Sequence, residues 1–424
     1  MITKFARLEF ELFTKPSKSD FLRVHYSSLQ SKIDVKTDDM KIDNISVYPI
    51  LLPFSSEFSH SLRKRYSVKN IIVQVVAQQG NIKGYGEGAP RSFVTGESQE
   101  SAVRSIYRFI ALDNFPWELN HVSQIWNFVD GLIHGKAHNA AVCALETALL
   151  DALGKSQGRN IIDYFPKDFM TNKVYYGAAL PLAGKQRIVE ICQLIKKMKV
   201  TKLKLKLGKD LSQNKEILEA VRTMFGKDCD IKVDINCVWN YALALKHVPL
   251  IKDYGIKVIE QPMRPNHPET ADFADLMHKT GVVLMADESA CSLEDMKKIA
   301  EDGYYKMINV RLSKCGGFGN SLKIIEYLRC NGISFQIGCH LGESGILSAA
   351  GRILCLLCRD AVYCDGSYDE FLLEKNVTVE DVSMGPGGEA DPLKGPGLGI
   401  EVSEKNLAEL SEGFNTITVY RPYP

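Results

Sequence analysis

Eight short apolar runs recur at a nearly constant interval from residue 174 onward. They span 174–180, 202–207, 231–236, 257–262, 282–288, 306–312, 333–338 and 361–366. Polar residues near consecutive run ends, Lys206, Asp234, Glu260, Asp287 and Lys314, are 28, 26, 27 and 27 residues apart. A strand, a helix and two short loops need about this many residues. Eight such units at one period predict a parallel β/α barrel rather than an open sheet.

The chain before this repeat is predicted to form a smaller α+β module. Segments 44–52 and 70–77 are rich in β-branched residues and predict strands, whereas 80–91 is rich in turn-forming residues. Residues 138–155 place apolar side chains at helical spacing and predict a helix. Residues 1–40 show no periodic pattern, and we interpret them as an N-terminal extension of unknown role.

The composition is that of an ordinary soluble globular protein. Of the 424 residues, 45% are hydrophobic and 24% are charged, with a formal net charge of +1. This balance gives no reason to expect nucleic acid or an acidic membrane surface as a partner. No apolar run approaches the roughly 20 residues needed to cross a bilayer, and the N-terminus lacks the apolar core of a secretory signal. We therefore expect a cytoplasmic protein with neither kind of partner.

The 11 cysteines are an odd number scattered along the chain, which does not suit a disulfide framework. Cys355 and Cys358 form one CxxC motif, but they lie in the apolar run RILCLLCRD. Because no second pair lies nearby, we predict buried reduced thiols in a helix rather than a redox or zinc site.

Charged and polar side chains stand at the predicted carboxyl ends of the repeat strands. In a β/α barrel these ends form one face, and active sites lie there. The charged and polar residues at these ends are, in chain order, Lys204, Lys206, Asp234, Asn236, Glu260, Asp287, Glu288, Lys314 and His340. Three carboxylates on adjacent strands, Asp234, Glu260 and Asp287, would repel one another without a cation. A hard divalent ion such as Mg²⁺ prefers oxygen ligands of this kind.

Each of these motifs has an ordinary structural interpretation when it is taken alone. The alternation KLKLK more often marks the solvated face of an edge strand, at odds of roughly four to one. A single Asp at a strand end is usually a helix N-cap. The ordered set differs, because it places three acids on successive strands with lysines on either side. We therefore interpret the set as one site.

The motifs together resemble those of a known family. They are KLKLG (204–208), VDIN (233–236), EQP (260–262), ADES (286–289), LSKCGG (312–317), GYGEG (84–88) and the helix at 143–155. This set is similar to the enolase superfamily, in its mandelate racemase/muconate-lactonizing-enzyme branch, over about residues 42–402.

The resemblance implies an α/β fold with a modified TIM barrel, (β/α)₇β, and an N-terminal α+β capping domain. We accordingly place an extension at 1–40, the capping domain at 41–165, the barrel at 166–385 and a segment returning to the capping domain at 386–424. The resemblance also implies Mg²⁺, or Mn²⁺ in its place, bound by Asp234, Glu260 and Asp287. Two catalytic lysines fall on Lys206 and Lys314.

The chemistry expected at such a site is proton transfer next to a carboxylate. Removing that proton creates an enediolate, which a divalent ion stabilises as a Lewis acid, and lysine bases with Mg²⁺ are known in this superfamily. Lys206 and Lys314 lie on opposite sides of the acids, which suits racemisation or epimerisation. We expect Lys204 to assist by contacting the substrate carboxylate, and Asn236 and Glu288 to position ligands and lysines.

Departures from the family pattern bear on the substrate. Dipeptide epimerases of this branch carry an Asp-x-Asp at the eighth strand that binds the substrate ammonium. Here Tyr363 replaces the first acid and Asp365 remains, which argues against a standard dipeptide. His340 and Glu343 follow the seventh strand and are further candidates for substrate contact, although a hydrogen-bonded structural role explains His340 equally well.

Two capping-domain segments, 58–69 and 90–98, are expected to add specificity. Arg63 of the first segment and Phe93 of the second are the candidate residues. Arg63 would recognise a second anionic group on the substrate. Alternatively, its segment is a solvated basic loop with no role in binding.

Three functions compete. The leading one is a Mg²⁺-dependent racemase or epimerase of an acylated amino acid, a dipeptide or a related acid. A muconate-type cycloisomerase is the alternative, with Lys206 as the proton-transfer group and Lys314 less essential. A non-catalytic barrel acting as a binding protein ranks last. Burying these charges costs free energy, and a protein without catalytic activity would have no use for them. A small-molecule carboxylate is the expected partner, and a homo-oligomer is left open.

Overall fold

The structure is a computed structural model that describes residues 39–60, 63–132 and 135–422, with only the backbone at 56–60 and 63–65. The predicted extension at 1–40 lies almost entirely outside the described residues, as does the side chain of Arg63.

The described residues form fourteen strands and thirteen α-helices. The strands are β1 Met40–His60, β2 Arg63–Ala77, β3 Ile82–Gly88, β4 Glu118–Leu119, β5 Val174–Leu180, β6 Lys202–Lys206, β7 Asp230–Asp234, β8 Val258–Glu260, β9 Val283–Ala286, β10 Met307–Val310, β11 Ser334–Ile337, β12 Tyr363–Asp365, β13 Glu389–Ala390 and β14 Ile417–Tyr420. The helices are α1 Gln99–Ile110, α2 Val122–Gly131, α3 Asn139–Ser156, α4 Lys185–Lys197, α5 Leu211–Phe225, α6 Tyr241–Asp253, α7 Thr270–His278, α8 Leu293–Asp302, α9 Leu312–Cys315, α10 Gly317–Cys330, α11 Gly345–Leu356, α12 Asp369–Leu372 and α13 Glu404–Leu410.

An antiparallel sheet in the order β14-β1-β2-β3 forms the N-terminal layer, and β4 pairs with β1. Strand β14 comes from the chain's tail and pairs with β1 at Asn44–Val47. The predicted helix at 138–155 is confirmed as α3.

The segment 80–91 was predicted as turns, and this prediction is wrong for most of its length. Residues 82–88 form β3, paired along its whole length with β2. Gly84, Gly86 and Gly88 alternate on the face that meets α3, where an added Cβ would overlap helix backbone atoms. These glycines therefore allow a close strand-to-helix approach rather than a turn.

Eight parallel strands, β5 to β12, follow one another in sequence order, and β12 pairs with β5 to close a barrel. Each of the eight predicted apolar runs coincides with one of these strands: seven runs contain the whole strand, and β7 begins one residue before its run. Helices connect consecutive strands, and after β12 the described chain forms the four-residue α12 and a long loop. The predicted α/β fold with a (β/α)₇β barrel is confirmed.

The cysteines of the CxxC motif lie at and just beyond the end of α11, and both thiols are free and buried, as predicted. In the part of the chain that the structure describes, no helix combines the length and hydrophobicity required to cross a membrane.

Candidate active site

The carboxyl ends of four adjacent barrel strands, β6 to β9, carry the predicted charged residues side by side. Lys206 lies opposite Asp234 across the β6–β7 pair, and Asp234 lies opposite Glu260 across the β7–β8 pair. Asp287 is the first residue after β9. The three acids are 1%, 0% and 1% exposed. The parallel register therefore gathers them into one buried group at the carboxyl end of the barrel.

The backbone turns sharply after two of these acids. Asn236 and Cys237 adopt φ values of 47° and 65°, and Gln261 adopts 36°. Such left-handed conformations are unfavourable for residues other than glycine and are typical of functional sites. Gln261 Oε1 accepts hydrogen bonds from the amides of Asp287 and Ser289 at 2.9 and 3.1 Å. The strained turn thus fixes the loop that presents Asp287.

Lys204 is a buried cation surrounded by carboxylates. Its Nζ lies 2.8 Å from Glu260, 3.3 Å from Asp365 and 3.7 Å from Asp234. Burial by itself lowers the pKa of Lys204, but these three carboxylates raise it well above its ordinary value. Lys204 therefore provides a fixed positive charge.

Lys206 stands at the edge of an open cavity. Its Nζ donates to Asp234 Oδ2 at 2.8 Å and to Asn236 Oδ1 at 2.6 Å, and its side chain is 15% exposed. Because it lines the cavity, Lys206 can reach a bound molecule.

Lys314 lies on the other side of the acids, in the short helix α9, and its side chain is fully buried. Its Nζ donates to the carbonyl and Oδ1 of Asp287, both at 2.8 Å, and to the carbonyl of Asn309 at 2.6 Å. These contacts use all three N–H groups of the ammonium. Lys314 is not among the described residues that line the cavity.

Arg311 is a site residue that the sequence analysis missed. Its guanidinium donates to Asp287 Oδ2, and its Nη2 lies 3.4 Å from Glu260 Oε1. Burial by itself raises the pKa of Glu260, but Lys204 and Arg311 lower it below its ordinary value. The available signal was a basic residue within the sixth apolar run, 306–312, three positions before Lys314.

Basic side chains bridge the predicted metal ligands. Among the described residues no three His, Cys, Asp or Glu side chains are disposed as a coordinating set. Lys204 and Arg311 instead contact Glu260 together with Asp234 and Asp287, respectively.

The donor set nevertheless suits a hard divalent cation, because it consists of buried carboxylate oxygens. Glu288 lies beside it, 4% exposed, and its Oε2 finds no hydrogen-bond partner in the described chain. Burial, together with the negative charges of Asp287 and Asp234, raises the pKa of Glu288 to about 8. An additional positive charge would therefore be stabilised here.

A second buried charge pair lies deeper in the barrel. Lys232 Nζ donates to both oxygens of Asp365 at 2.9 Å and also bonds Gln336. Tyr363, the residue in place of the family's first acid, covers Lys232 with its ring at 4.5 Å and donates its hydroxyl to Asp230. Lys232 was also missed, although it shares a strand face with Asp234 by the two-residue period.

The remaining substrate-contact candidates divide into two groups. His340 and Phe93 line the cavity, and they are 3% and 47% exposed. Glu343 is not among the described lining residues; its Oε1 accepts a hydrogen bond from the amide of His340, and burial raises its pKa to about 8. The side chain of Arg63 lies outside the described residues.

The cavity has a volume of about 610 Å³ and two chemically distinct ends. Lys204, Lys206, Asp234 and Arg311 line the charged end. Apolar residues of α4 and of the segment after β12 line the other end. The arrangement suits a molecule with an anionic head and an apolar part.

A sequence profile described as enolase C-terminal domain-like matches residues 187–406, more than half of the chain. The chain belongs to the enolase superfamily. Its relatives and structural neighbours include epimerases, racemases and cycloisomerases of the mandelate racemase/muconate-lactonizing branch. This enolase-superfamily protein is an enzyme of the isomerase class.

Two relatives match this superfamily member over nearly their whole length. It is 26% identical to a hydrophobic dipeptide epimerase from Enterococcus faecalis, over 88% of this chain and 98% of that one. It is 28% identical to an N-succinyl-L-Arg/Lys racemase from Bacillus cereus, with the same shares of the two chains.

Solved structures agree with these relatives. The Bacillus cereus racemase superposes with a TM-score of 0.78, covering 90% of this chain and all of that chain. The structure of the Enterococcus faecalis epimerase is a complex with Mg and the dipeptide L-Leu-L-Tyr. It superposes with a TM-score of 0.75 at 25% identity, over 85% of this chain and all of that chain. A muconate lactonizing enzyme from Pseudomonas fluorescens gives 0.77 at 23% identity, over 88% and 99% of the two chains, and supports the shared fold alone.

Proposed function

We propose that the protein is a Mg²⁺-dependent racemase or epimerase that moves the proton on a carbon next to a carboxylate. The observation that carries this proposal is the placement of Lys206 and Lys314 on opposite sides of the buried acids Asp234, Glu260 and Asp287. The activities of the two relatives, and the Mg in the epimerase structure, support it.

Asp234, Glu260 and Asp287 would hold the ion, with Mn²⁺ as a substitute, and the ion when bound supplies Lewis-acid stabilisation of negative charge on the substrate carboxylate. Lys204 keeps a positive charge beside this group and helps to orient the carboxylate. Asn236 positions the Lys206 ammonium through its hydrogen bond.

Lys206 exchanges a proton with the substrate from the cavity side. Lys314 serves the opposite face, but its three hydrogen bonds occupy every N–H. Lys314 must therefore release at least one of them to reach the substrate. This difference predicts unequal behaviour of the two lysines.

The ion pairing of Asp365 favours a substrate without a free ammonium group. Lys232 and Lys204 neutralise Asp365, and Tyr363 directs its hydroxyl to Asp230. The eighth strand therefore offers little negative charge to an ammonium. We propose an acylated amino acid as the substrate, in preference to a dipeptide.

A muconate-type cycloisomerase is the second candidate. One observation favours it: Lys206 lines the cavity, whereas Lys314 is buried behind Asp287. A reaction that needs a single lysine suits this arrangement.

Proton exchange in D₂O tests the proposal. The full chain, with Mg²⁺ binding verified by calorimetry, is incubated with each enantiomer of N-acyl amino acids, with dipeptides and with muconate-like diacids. We expect deuterium at the α carbon of the N-acyl amino acids, with inversion detected by chiral chromatography. Lactone formation from the diacids would support the second candidate. Absence of exchange with every compound would reject the proposal.

A further inference from the structure

Helix α4 carries two apolar stripes, and one of them faces the cavity. The first stripe, which includes Ile188 and Cys192, is buried in the protein core. The second stripe lines the cavity and consists of Ile191, Leu194, Ile195 and Met198. Their i, i+3, i+4, i+7 spacing places them on one helix face. Ile195 is 5% exposed and is shared with the buried stripe, and Met198 directly follows the last residue of α4. Leu194 is 49% exposed.

The opposite wall comes from the segment after β12. Phe371, Leu372 and Met384 line the cavity there, and Phe371 is 41% exposed. In the described chain this segment forms only the short helix α12 and a loop, where a regular eight-helix barrel would place a long helix. We call the space between this wall and the second stripe of α4 the apolar groove.

The apolar groove is continuous with the charged end of the site. One cavity contains both the stripe of α4 and Lys206. From Ile191 to Met198 the helix rises about 10 Å, at roughly 1.5 Å per residue. A molecule whose carboxylate lies near Lys206 can therefore extend an apolar group along α4.

Exposed apolar side chains scattered singly need no explanation, but here they cluster on one cavity. Leu194 and Phe371 face the same space, and Phe93 lines the same cavity. Between 181 and 198, and between 371 and 384, Arg187 is the one charged side chain among the described lining residues; it precedes the stripe and pairs with Glu190. The groove thus matches the chemistry of an uncharged aliphatic or aromatic group.

We propose that the apolar groove binds an extended apolar group of the substrate, carried either as an acyl chain on nitrogen or as a long side chain. The inference rests on the proposed function only in placing the carboxylate of the same molecule at the charged end. It adds a specificity determinant, with Leu194 and Phe371 as its most exposed members.

Binding to the full chain in Mg²⁺ tests the groove independently of catalysis. N-octanoylglycine and N-acetylglycine are compared by calorimetry, because neither needs to react to be measured. Each buried methylene strengthens binding roughly fourfold, so we expect N-octanoylglycine to bind at least about tenfold more tightly. Equal affinities would overturn the inference for an acyl chain, and the reaction series described below decides it for a side chain.

Substitutions in the two walls of the apolar groove test whether the preference for N-octanoylglycine arises there. Leu194→Glu should remove the tighter binding of N-octanoylglycine relative to N-acetylglycine. Phe371→Glu, on the opposite wall, should have the same effect and replaces the first variant if that one folds poorly. Leu245→Glu is the matched control, because Leu245 is an exposed leucine of α6 that does not line the cavity. Retention of the full advantage in both groove variants would place the apolar group elsewhere and contradict the inference.

A reaction series distinguishes the two sources of the apolar group. N-octanoylalanine is compared with N-acetyl-2-aminodecanoate, and the one with the higher kcat/KM identifies whether the acyl chain or the side chain enters the groove. If neither exchanges its α proton while N-octanoylglycine still binds preferentially, the proposed function fails and the groove stands. If both react without any preference over their short analogues, and the glycine derivatives bind equally, the groove fails and the proposed function stands.

Discussion

Lys206 and Lys314 have the same side chain but different surroundings. Lys206 donates two hydrogen bonds and is partly exposed to the cavity, whereas Lys314 donates three and is fully buried. Both are paired with an acid of the site. In the proposed reaction, Lys206 can therefore act directly, whereas Lys314 must first release a hydrogen bond.

Substituting each lysine tests whether two bases operate. For a two-base racemase, Lys206→Met and Lys314→Met should each slow α-proton exchange from one enantiomer by about 100-fold or more, because each lysine serves one face. The measurement is deuterium incorporation into each pure enantiomer, followed by NMR. Lys202→Met, at the other end of β6, is the control. Equal losses for both enantiomers in both variants would contradict the two-base geometry, and a loss confined to Lys206→Met would favour one-lysine chemistry.

Buried glutamates of the N-terminal layer cap helices of the barrel. Glu87 of β3 accepts from the amides of Ser344 and Leu347 at 3.0 Å, at the start of α11. Glu146 of α3 accepts from the amides of Phe318 and Gly319, at the start of α10. Helix N-termini favour negative charge, so each contact joins the two layers. The GYGEG and CALETALL motifs therefore have a packing role, independent of catalysis.

The cap at α10 predicts a pH dependence of stability. Burial, the largest influence, raises the pKa of Glu146 from 4.5 to about 7. The folded protein then binds more protons than the unfolded chain between these values, so the free energy of unfolding falls as pH rises through this window. The change is at most about 1.4 kcal/mol per pH unit, or roughly 2–3 kcal/mol in all.

Glu146→Gln removes this titration. Denaturant unfolding from pH 4.5 to 8 should show the variant gaining stability relative to the natural protein up to about pH 7, and a constant difference above that pH. Glu216→Gln, at an exposed glutamate of α5, is the control. A difference that does not vary with pH would refute the predicted titration.

The glycines of β3 predict a second effect at the scale of elements. An added Cβ at Gly86 would overlap the Ala144 carbonyl and the Ala148 amide of α3. Gly86→Ala should therefore lower the free energy of unfolding by about 1–3 kcal/mol, because strand and helix must separate. Gly351→Ala in α11 meets no atom within 4 Å and should be neutral or slightly stabilising. Similar stability of the two variants in denaturant unfolding would argue against the close approach.

At the scale of the whole molecule, the three acids belong to three consecutive strands of the closed barrel. An ion that joins them would bind the folded state and not the unfolded chain. Mg²⁺ at 100 times its Kd should therefore stabilise the protein by about 2.7 kcal/mol. We expect Tm to rise with Mg²⁺ or Mn²⁺ and to return to its starting value with EDTA.

The same measurement on Asp234→Asn identifies the ligand set. This variant should lose most of the metal-dependent rise in Tm, whereas Asp228→Asn, at an exposed acid before β7, should keep it. An unchanged rise in Asp234→Asn would exclude Asp234 as a ligand. Because the readout is thermal stability, it does not depend on knowing the substrate.

Local sequence patterns were enough to predict the barrel and the order of its charged residues. Strand-forming runs at a period near 27 residues are a local pattern, and a parallel register then brings Lys206, Asp234 and Glu260 together without further information. The two-residue strand period also contains the signal for Lys232, which shares a face with Asp234. The domain boundaries drawn from the sequence stay a prediction.

Contacts between residues distant in the chain establish which charges pair, which lysine meets the cavity, and where the apolar groove lies. Arg311 contacts Asp287 and Glu260, which belong to other strands, so no local pattern specifies the pairing. The strand at 82–88 looked like a turn because its glycines are required by a helix some 60 residues away in the chain. Local periodicity fixes the face on which a side chain lies, whereas burial and pairing depend on residues distant in sequence, which meet only after folding.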